Sequence, residues 1–432
     1  MRVHTPDQGQ IMDRPAASNT LSIILAGGRG SRLHDLTDSQ AKPALPIGPS
    51  ARLIDFTLAN VANSGMKRAM VLSQYAPDSL HRHLETRWPQ SGKAMPLVIE
   101  IADGGTFGGF HGTADAIAKV IDEIDRHKPR HVLILAGDHL YQMDYHPFVE
   151  RHQRSGAQVT VGAIHVPLAA AREFGVMTLD AQGRIVAFAE KPACPAQALD
   201  RPGFSLASMG IYVFDWSFLR ALLSEMVLDN AELDFGKHVL PVLVAGGQAY
   251  AYALPGRAAA DPLWRDLGTL DAYHGVHAEL RDGRIALDPA WPITVRPGER
   301  ARDLRSLLHG RPHLTRCSVG EGARIGERSV LDDVVVLPGA RIGRDVCLSR
   351  AIVAGDAVIP DGFDLDRALA IDRRWCTISA GGIPLISARA LESFAALETL
   401  LAQHALERLN DNVPLLDWTA QASRTPVAAP RG

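Results

Sequence analysis

"LSIILAGGRGSRLHDLTDSQAKPALPIG", residues 21–48, joins an apolar run to a glycine-rich, cationic loop. Leu21 to Ala26 read as a buried strand, and the chain then turns at Gly27, Gly28 and Gly30. Glycines let backbone N–H groups come close to phosphate oxygens. Arg29, Arg32 and Lys42 add positive charge where the loop leaves its strand. In open α/β sheets that carboxyl edge is where ligands bind. The stretch is not a P-loop, because GxxxxGKS/T is absent, and not a dinucleotide fingerprint, because position 33 is Leu. On composition alone, a polyphosphate cradle and a glycine-rich turn with solvated arginines both fit.

Further short apolar runs alternate with amphipathic stretches out to about residue 281. "RAMVLS" (68–73), "PLVIEIA" (96–102) and "HVLILAG" (131–137) read as strands. "TADAIAKVIDEI" (113–124) reads as a helix, with Ile117, Val120, Ile121 and Ile124 on one face and Thr113 as its N-cap. Strands alternating with helices imply βαβ units and a mostly parallel, Rossmann-like sheet. "GVMTLDAQGRIVAFAEKP" (175–192) reads instead as a hairpin at the sheet's edge or an insertion.

The texture changes beyond an Arg-, Pro- and Gly-rich segment, 282–312. In "CSVGEGARIGERSVLDDVVVLPGARIGRDVCLSRAIVAGDAVIPDG" (317–362), apolar residues recur at Val319, Ile325, Leu331, Val336, Ile342, Leu348, Val353 and Ile359. Three successive gaps sum to 17 residues, one coil of a three-sided solenoid. This hexapeptide period predicts a short parallel β-helix whose open edges need covering, by the helix at about 387–410 or by another subunit. The expected organisation is an extension (1–20), an α/β domain (21–281), a linker (282–312), a β-helix with a terminal helix (313–415) and a tail (416–432).

The 432 residues carry a formal net charge of -3, which gives no broad footprint for nucleic acid. No stretch is long and apolar enough to span a membrane. The polar first twenty residues lack a secretory signal's apolar core. Four cysteines with no CxxC spacing fit a reducing, cytoplasmic setting.

Carboxylates complete the chemistry. Asp138 in "LAGDHLY" (135–141) lies just past a strand, and Asp266 in "WRDLGT" (264–269) lies in another loop. Such residues hold Mg²⁺ against substrate phosphates, or simply cap the next turn. Glu190 and Lys191 in "FAEKP" end a strand, as site residues or as a surface ion pair.

These motifs, with "AKPALPIG", "RLIDFTLANVANSG", "HGTADAI", "FGVMTLD", "SLASMGIYVF" and "DFGKHVLP", resemble in order and spacing the bacterial glucose-1-phosphate adenylyltransferases. The resemblance covers nearly the whole chain. It implies a nucleotidyltransferase domain followed by a left-handed β-helix. It also implies a reaction: ATP and α-glucose 1-phosphate give ADP-glucose, for glycogen synthesis, and pyrophosphate. By resemblance, Gly27, Gly28, Arg29 and Gly30 wrap the nucleotide phosphates. Arg32 and Lys42 hold the outer phosphates, and Asp138 and Asp266 share Mg²⁺. Phe110, Gly112, Thr113 and Asp115 belong to the nucleoside side. Lys191 grips the sugar phosphate, while Glu190, Ser208 and Asp234 face the glucose hydroxyls. The family implies a homotetramer and an allosteric metabolite effector on basic residues, here Arg52 and Arg389. Ser39, Gln40 and Ala388 stand where basic residues are common, so a weak or altered response to fructose 1,6-bisphosphate is expected. Phe110 replaces a frequent tyrosine. The rival readings are another nucleotide or sugar, a non-catalytic regulatory subunit, and acyl transfer by the β-helix. The four phosphate and metal residues Lys42, Asp138, Lys191 and Asp266 argue against a non-catalytic subunit, and the coils, which lack histidine from 314 to 374, argue against acyl transfer.

Overall fold

The computed structural model describes residues 19–48, 50–88, 97–227, 232–255, 261–285, 287–288, 291–293 and 312–411, the last seven of them as helical backbone alone. The expected tail, almost all of the extension and most of the linker lie outside these residues. Thr20, assigned by sequence to the extension, is the first residue of a strand.

Among the described residues, nine strands form one mixed sheet. Val98–Asp103, Arg68–Ser73, Thr20–Ala26 and His131–Ala136 lie side by side and parallel. Phe204–Asp215 runs antiparallel to His131–Ala136 and to Val159–Pro167, which pairs in parallel with Ala249–Ala253. Gly175–Leu179 and Ile185–Glu190 form a hairpin at the sheet's edge, one of the two arrangements expected from their sequence. Strand neighbours alternate between two cores: Ile24, Leu133 and Leu135 face one helical layer, and Ile23, Val132 and Ile134 face the other. This explains the continuous apolar runs, since both faces are covered. The chain leaves Thr20–Ala26 toward Arg68–Ser73 on one side, and His131–Ala136 arrives on the other. The strand order thus reverses over the glycine loop, which opens a crevice at the carboxyl edge.

Residues 113–124 do not form one helix. Val120 leaves helical geometry (φ -107°, ψ 20°) and separates Thr113–Lys119 from Ile121–Arg126. Ile117, Val120 and Ile124 still reach the same core, each fully buried. The N-cap is Gly112, not Thr113; the threonine hydroxyl is spent elsewhere.

The solenoid repeats at the expected period. Val319 pairs with Val336, Ile325 with Ile342 and Leu331 with Leu348, and the next coil continues through Val353 and Ile359. These side chains fill the interior, as a left-handed β-helix of hexapeptide repeats requires. One end is closed by Leu365–Ile371 and by the terminal helix Ala388–Asp411, through contacts among Phe363, Trp375 and Phe394.

One side of the solenoid is buried on the α/β domain. Val335, Leu337, Ile352 and Leu385 pack with Leu33, Leu45, Phe56 and Tyr273 in one apolar cluster. The helix Leu270–Arg281 adds a polar seam with helical spacing. Asp271 accepts from Ser379 Oγ (2.6 Å), His274 bonds the Asp333 carbonyl (2.9 Å), and His277 Nδ1 meets Ser318 Oγ (3.1 Å). No helix among the described residues is long and apolar enough to cross a membrane.

Candidate active site

At the carboxyl edge lies a cleft of about 370 Å³, walled by Gly27, Gly28, Gln74, Phe110, Thr113 and Asp138 among others. Three distant segments meet at one wall residue, Asp138; Lys42 and Asp266 are not themselves in the wall. Lys42 sits in a tight turn closed by the Ala44 N–H on the Ala41 carbonyl (2.8 Å). Its stem runs under the glycine loop: a Cβ on Gly30, whose φ is +64°, would come within 3.1 Å of Lys42 Cβ. Asp138 follows Gly137, which has no room for a side chain because a Cβ would meet an Ile24 methyl at 2.9 Å. Asp266 ends a strand paired with His139–Tyr141, with Asp266 opposite His139.

Lys42 Nζ donates to Asp138 Oδ2 (2.9 Å) and to Asp266 Oδ1 (3.1 Å). Burial opposes the ammonium charge, but the two carboxylates outweigh it and raise the Lys42 pKa. Burial likewise disfavours the Asp138 carboxylate, but Lys42 and then His139 override it and hold that carboxyl well below the usual range. Asp138 keeps about a third of its side-chain surface open (32%), so it can still take a ligand from the cleft.

Among the described residues, no three His, Cys, Asp or Glu side chains form a metal cage. Two carboxylates converging on one cationic nitrogen suit a hard ion that draws its remaining ligands from water and phosphate. They do not suit a structural zinc. Lys42 Nζ occupies the position between the carboxylates where positive charge is required.

Arg32 lies at the rim, with Nη1 3.2 Å from Glu173 Oε2 and Nη2 4.0 Å from Asp266 Oδ2. The Arg29 guanidinium lies over the Tyr75 ring, 5.3 Å from its centroid, so it is engaged beside the loop. Gly112 admits no side chain: a Cβ would sit 2.1 Å from the Leu233 carbonyl oxygen. Thr113 donates to Asp234 Oδ2 (2.8 Å), and Asp234 Oδ1 accepts from the Gly236 and Lys237 N–H groups.

Asp115 acts from behind the loop it was expected to share. It is buried beneath the 110–112 loop, where it accepts from the His111 N–H (2.7 Å) and pairs with Lys119 (3.0 Å). It supports the loop and is not among the residues that wall the cleft. Glu190, Lys191 and Ser208 also stand outside those walls, on the adjoining edge of the sheet. Burial, then the charge of Asp234, pushes the Glu190 carboxyl up. Lys191 has left-handed backbone (φ 47°), and its N–H reaches the Phe174 carbonyl (3.0 Å). Ser208 Oγ accepts from the Gly210 N–H (3.2 Å) inside a bulge.

Two residues escaped the sequence reading. Gln74 clamps Phe110 at both ends: its amide donates to the Phe110 carbonyl (3.1 Å), and its carbonyl oxygen accepts the Phe110 N–H. No periodicity marks Gln74; it simply follows a strand. His139 directly follows Asp138, its Nε2 3.6 Å from Asp138 and 3.8 Å from Asp266, its ring edge-on to Trp264. Its place inside "LAGDHLY" was the available signal.

Comparison with known proteins gives a consistent result. Residues 21–283 match the nucleotidyl transferase family model, and residues 310–386 match the GlmU-like C-terminal hexapeptide model. A glucose-1-phosphate adenylyltransferase of Jannaschia sp. is 38% identical over 87% of this chain and 97% of its own length. The Mesorhizobium japonicum protein of the same name is 37% identical over 87% and 96%. That of Thiobacillus denitrificans is 38% identical over 86% and 91%. Nucleotidyl transferases as a class work with a divalent metal ion, for which Asp138 and Asp266 are the fitting pair here. The mixed α/β domain, the hexapeptide solenoid and these relatives place this chain in the glucose-1-phosphate adenylyltransferase family.

Proposed function

We propose that this chain joins ATP and α-D-glucose 1-phosphate to give ADP-glucose and pyrophosphate, feeding α-glucan synthesis. The observation that carries this reading is the meeting of Lys42, Asp138 and Asp266 beside Gly27 and Gly28. A sugar-phosphate oxygen attacks the α-phosphorus; a new P–O bond forms as the bond to the β-phosphate oxygen breaks. Backbone N–H groups of Gly27, Gly28 and Gly30 receive the phosphates, and Arg29 adds charge beside them. Arg32 and Lys42 stabilise the departing pyrophosphate. Asp138 and Asp266 would hold Mg²⁺, which when bound supplies positive charge to the phosphates. Phe110, Gly112 and Thr113 shape the nucleoside wall, with Asp115 supporting it. Glu190, Ser208 and Asp234 face the sugar, and Lys191 takes its phosphate. No covalent enzyme intermediate is needed. The test is a panel of ATP, UTP, TTP and GTP with glucose 1-phosphate, followed by pyrophosphate release. ATP is expected to lead by at least tenfold, and a lead by another nucleotide would reassign the base.

Regulation belongs to the same proposal. Arg389 pairs with Asp35 (3.4 Å) and Asp38 (2.5 Å), and Arg52 donates to the Ala44 carbonyl (2.5 Å). The crevice between the domains is lined by Asp35, Ser39, Gln40, Arg52 and Asp356. A bisphosphate there would meet Arg52 beside two acidic side chains, and Arg389 is already neutralised by Asp35 and Asp38, which favours weak activation by fructose 1,6-bisphosphate. Half-maximal activation at micromolar concentration would contradict this. We further propose a cytoplasmic homotetramer. The outward Val330 and Val358 of the solenoid (47% and 61% exposed) offer apolar surface for contact between subunits. Sedimentation velocity giving a monomer would remove the tetramer.

A further inference from the structure

Among the described residues, Arg32 is the one cation of the phosphate set held by a carboxylate outside that set. Its Nη1 lies 3.2 Å from Glu173 Oε2, while Nη2 lies 4.0 Å from Asp266. The guanidinium rests on the backbone of Gly268, where a Cβ would come within 2.7 Å of Nη2. Glu173 is carried by a short turn, its N–H on the Ala170 carbonyl (3.2 Å). The turn is anchored through the next residue: the Phe174 ring packs on Trp264, with centroids 5.0 Å apart, and its carbonyl takes the Lys191 N–H. Glu173 therefore stands on a fixed support between the Arg32 side and the Lys191 side of the site. Its side chain is 60% exposed, and Arg32 is 54% exposed, so the pair does no work in the core.

We propose that Glu173 is an electrostatic latch on Arg32, a positioning residue that polyphosphate must displace. This rests on Arg32 facing the outer phosphates. In the free protein, Glu173 neutralises Arg32 and keeps the long side chain over Gly268. An arriving triphosphate, or pyrophosphate in the reverse direction, exchanges that carboxylate for its own oxygens. The exchange lowers affinity for the polyanion, in substrate and in product alike. The latch tunes binding rather than the chemical step, because the pair is already open when the phosphates are seated.

The size follows from the exposure of the pair. An exposed ion pair shifts affinity by about three- to fivefold at most. In the full-length protein, Glu173→Gln is therefore expected to tighten binding of magnesium pyrophosphate, read by calorimetry, by about three- to fivefold. The KM for ATP should fall by the same factor, with kcat changed by less than about twofold. In an Arg32→Ala background the Glu173→Gln effect on pyrophosphate should vanish, because the coupling runs through Arg32. A merely structural role would move none of these in this pattern. Unchanged or weaker pyrophosphate binding in Glu173→Gln, or an undiminished effect without Arg32, overturns the latch. Tighter pyrophosphate binding in a protein that fails to make ADP-glucose would uphold the latch and remove only the assignment of base or sugar.

Discussion

A Lys42→Met variant is expected to lose turnover by roughly 10²–10³-fold, the range for removing one preorganised charge donor from a developing anion. Lys42 Nζ is the sole cation within hydrogen-bond distance of both Asp138 and Asp266 among the described residues. Its side chain is nearly buried at 7% exposed, so no neighbouring water can substitute for it. Methionine preserves the apolar stem that lies against Gly30 and keeps the turn intact. Without the ammonium, the Asp138 carboxyl loses the main group that holds it low, and its pKa rises. The substrate-free variant should then bind Mn²⁺ at neutral pH at least as tightly as the parent, since an internal competitor for the carboxylates is gone. Steady-state kinetics and Mn²⁺ titration separate the two effects. A turnover loss below about tenfold would remove Lys42 from the reacting charges.

Acid is expected to destabilise the protein before ordinary carboxylates protonate. His152 and His277 are each 2% exposed, and burial pushes both pKa values down to about 4, with His131 and His274 respectively adding repulsion. An unfolded histidine titrates near 6.5. Between about pH 6.5 and 4 the unfolded chain therefore binds protons that the folded chain refuses, so stability falls as pH falls through that window. Each site accounts for about 3 kcal/mol when fully lost, from a shift of two to three units. Glu190, whose carboxyl is raised, works weakly in the opposite sense. Urea midpoints at pH 7, 5.5 and 4.5 should decline steadily, and His277→Gln should flatten the decline. Because His277 meets Ser318 across the seam, its protonation should loosen the solenoid from the α/β domain first. A flat profile down to pH 4.5 would show that both rings are hydrated in solution.

Local pattern carried much of this architecture. The 17-residue period named one interior residue on each side of the regular coils, where residue i stacks on residue i+17. It did not reach the last pairing, Val353 with Ile386, 33 residues on. The two strands at 175–190 were legible from their polar turn, but only the sheet decided between an edge hairpin and an insertion. Thr113 was misread because a cap is decided by who competes for the hydroxyl. Asp234, 121 positions away, takes it. For Asp115, the position in a motif says that it is needed, and only the fold shows that it holds the 110–112 loop from below.

What the residues alone determined was the alternation of strand and helix, the coil period, and which side chains are chemically able to hold phosphate and metal. Those properties depend on neighbours a few positions apart. Tertiary structure alone decided that Lys42, Asp138 and Asp266 share one nitrogen, that Gln74 clamps Phe110, and that Glu173 engages Arg32. Such meetings follow from strand order and from the pairing of Asp266 with His139, and distance along a chain carries no information about distance across a sheet.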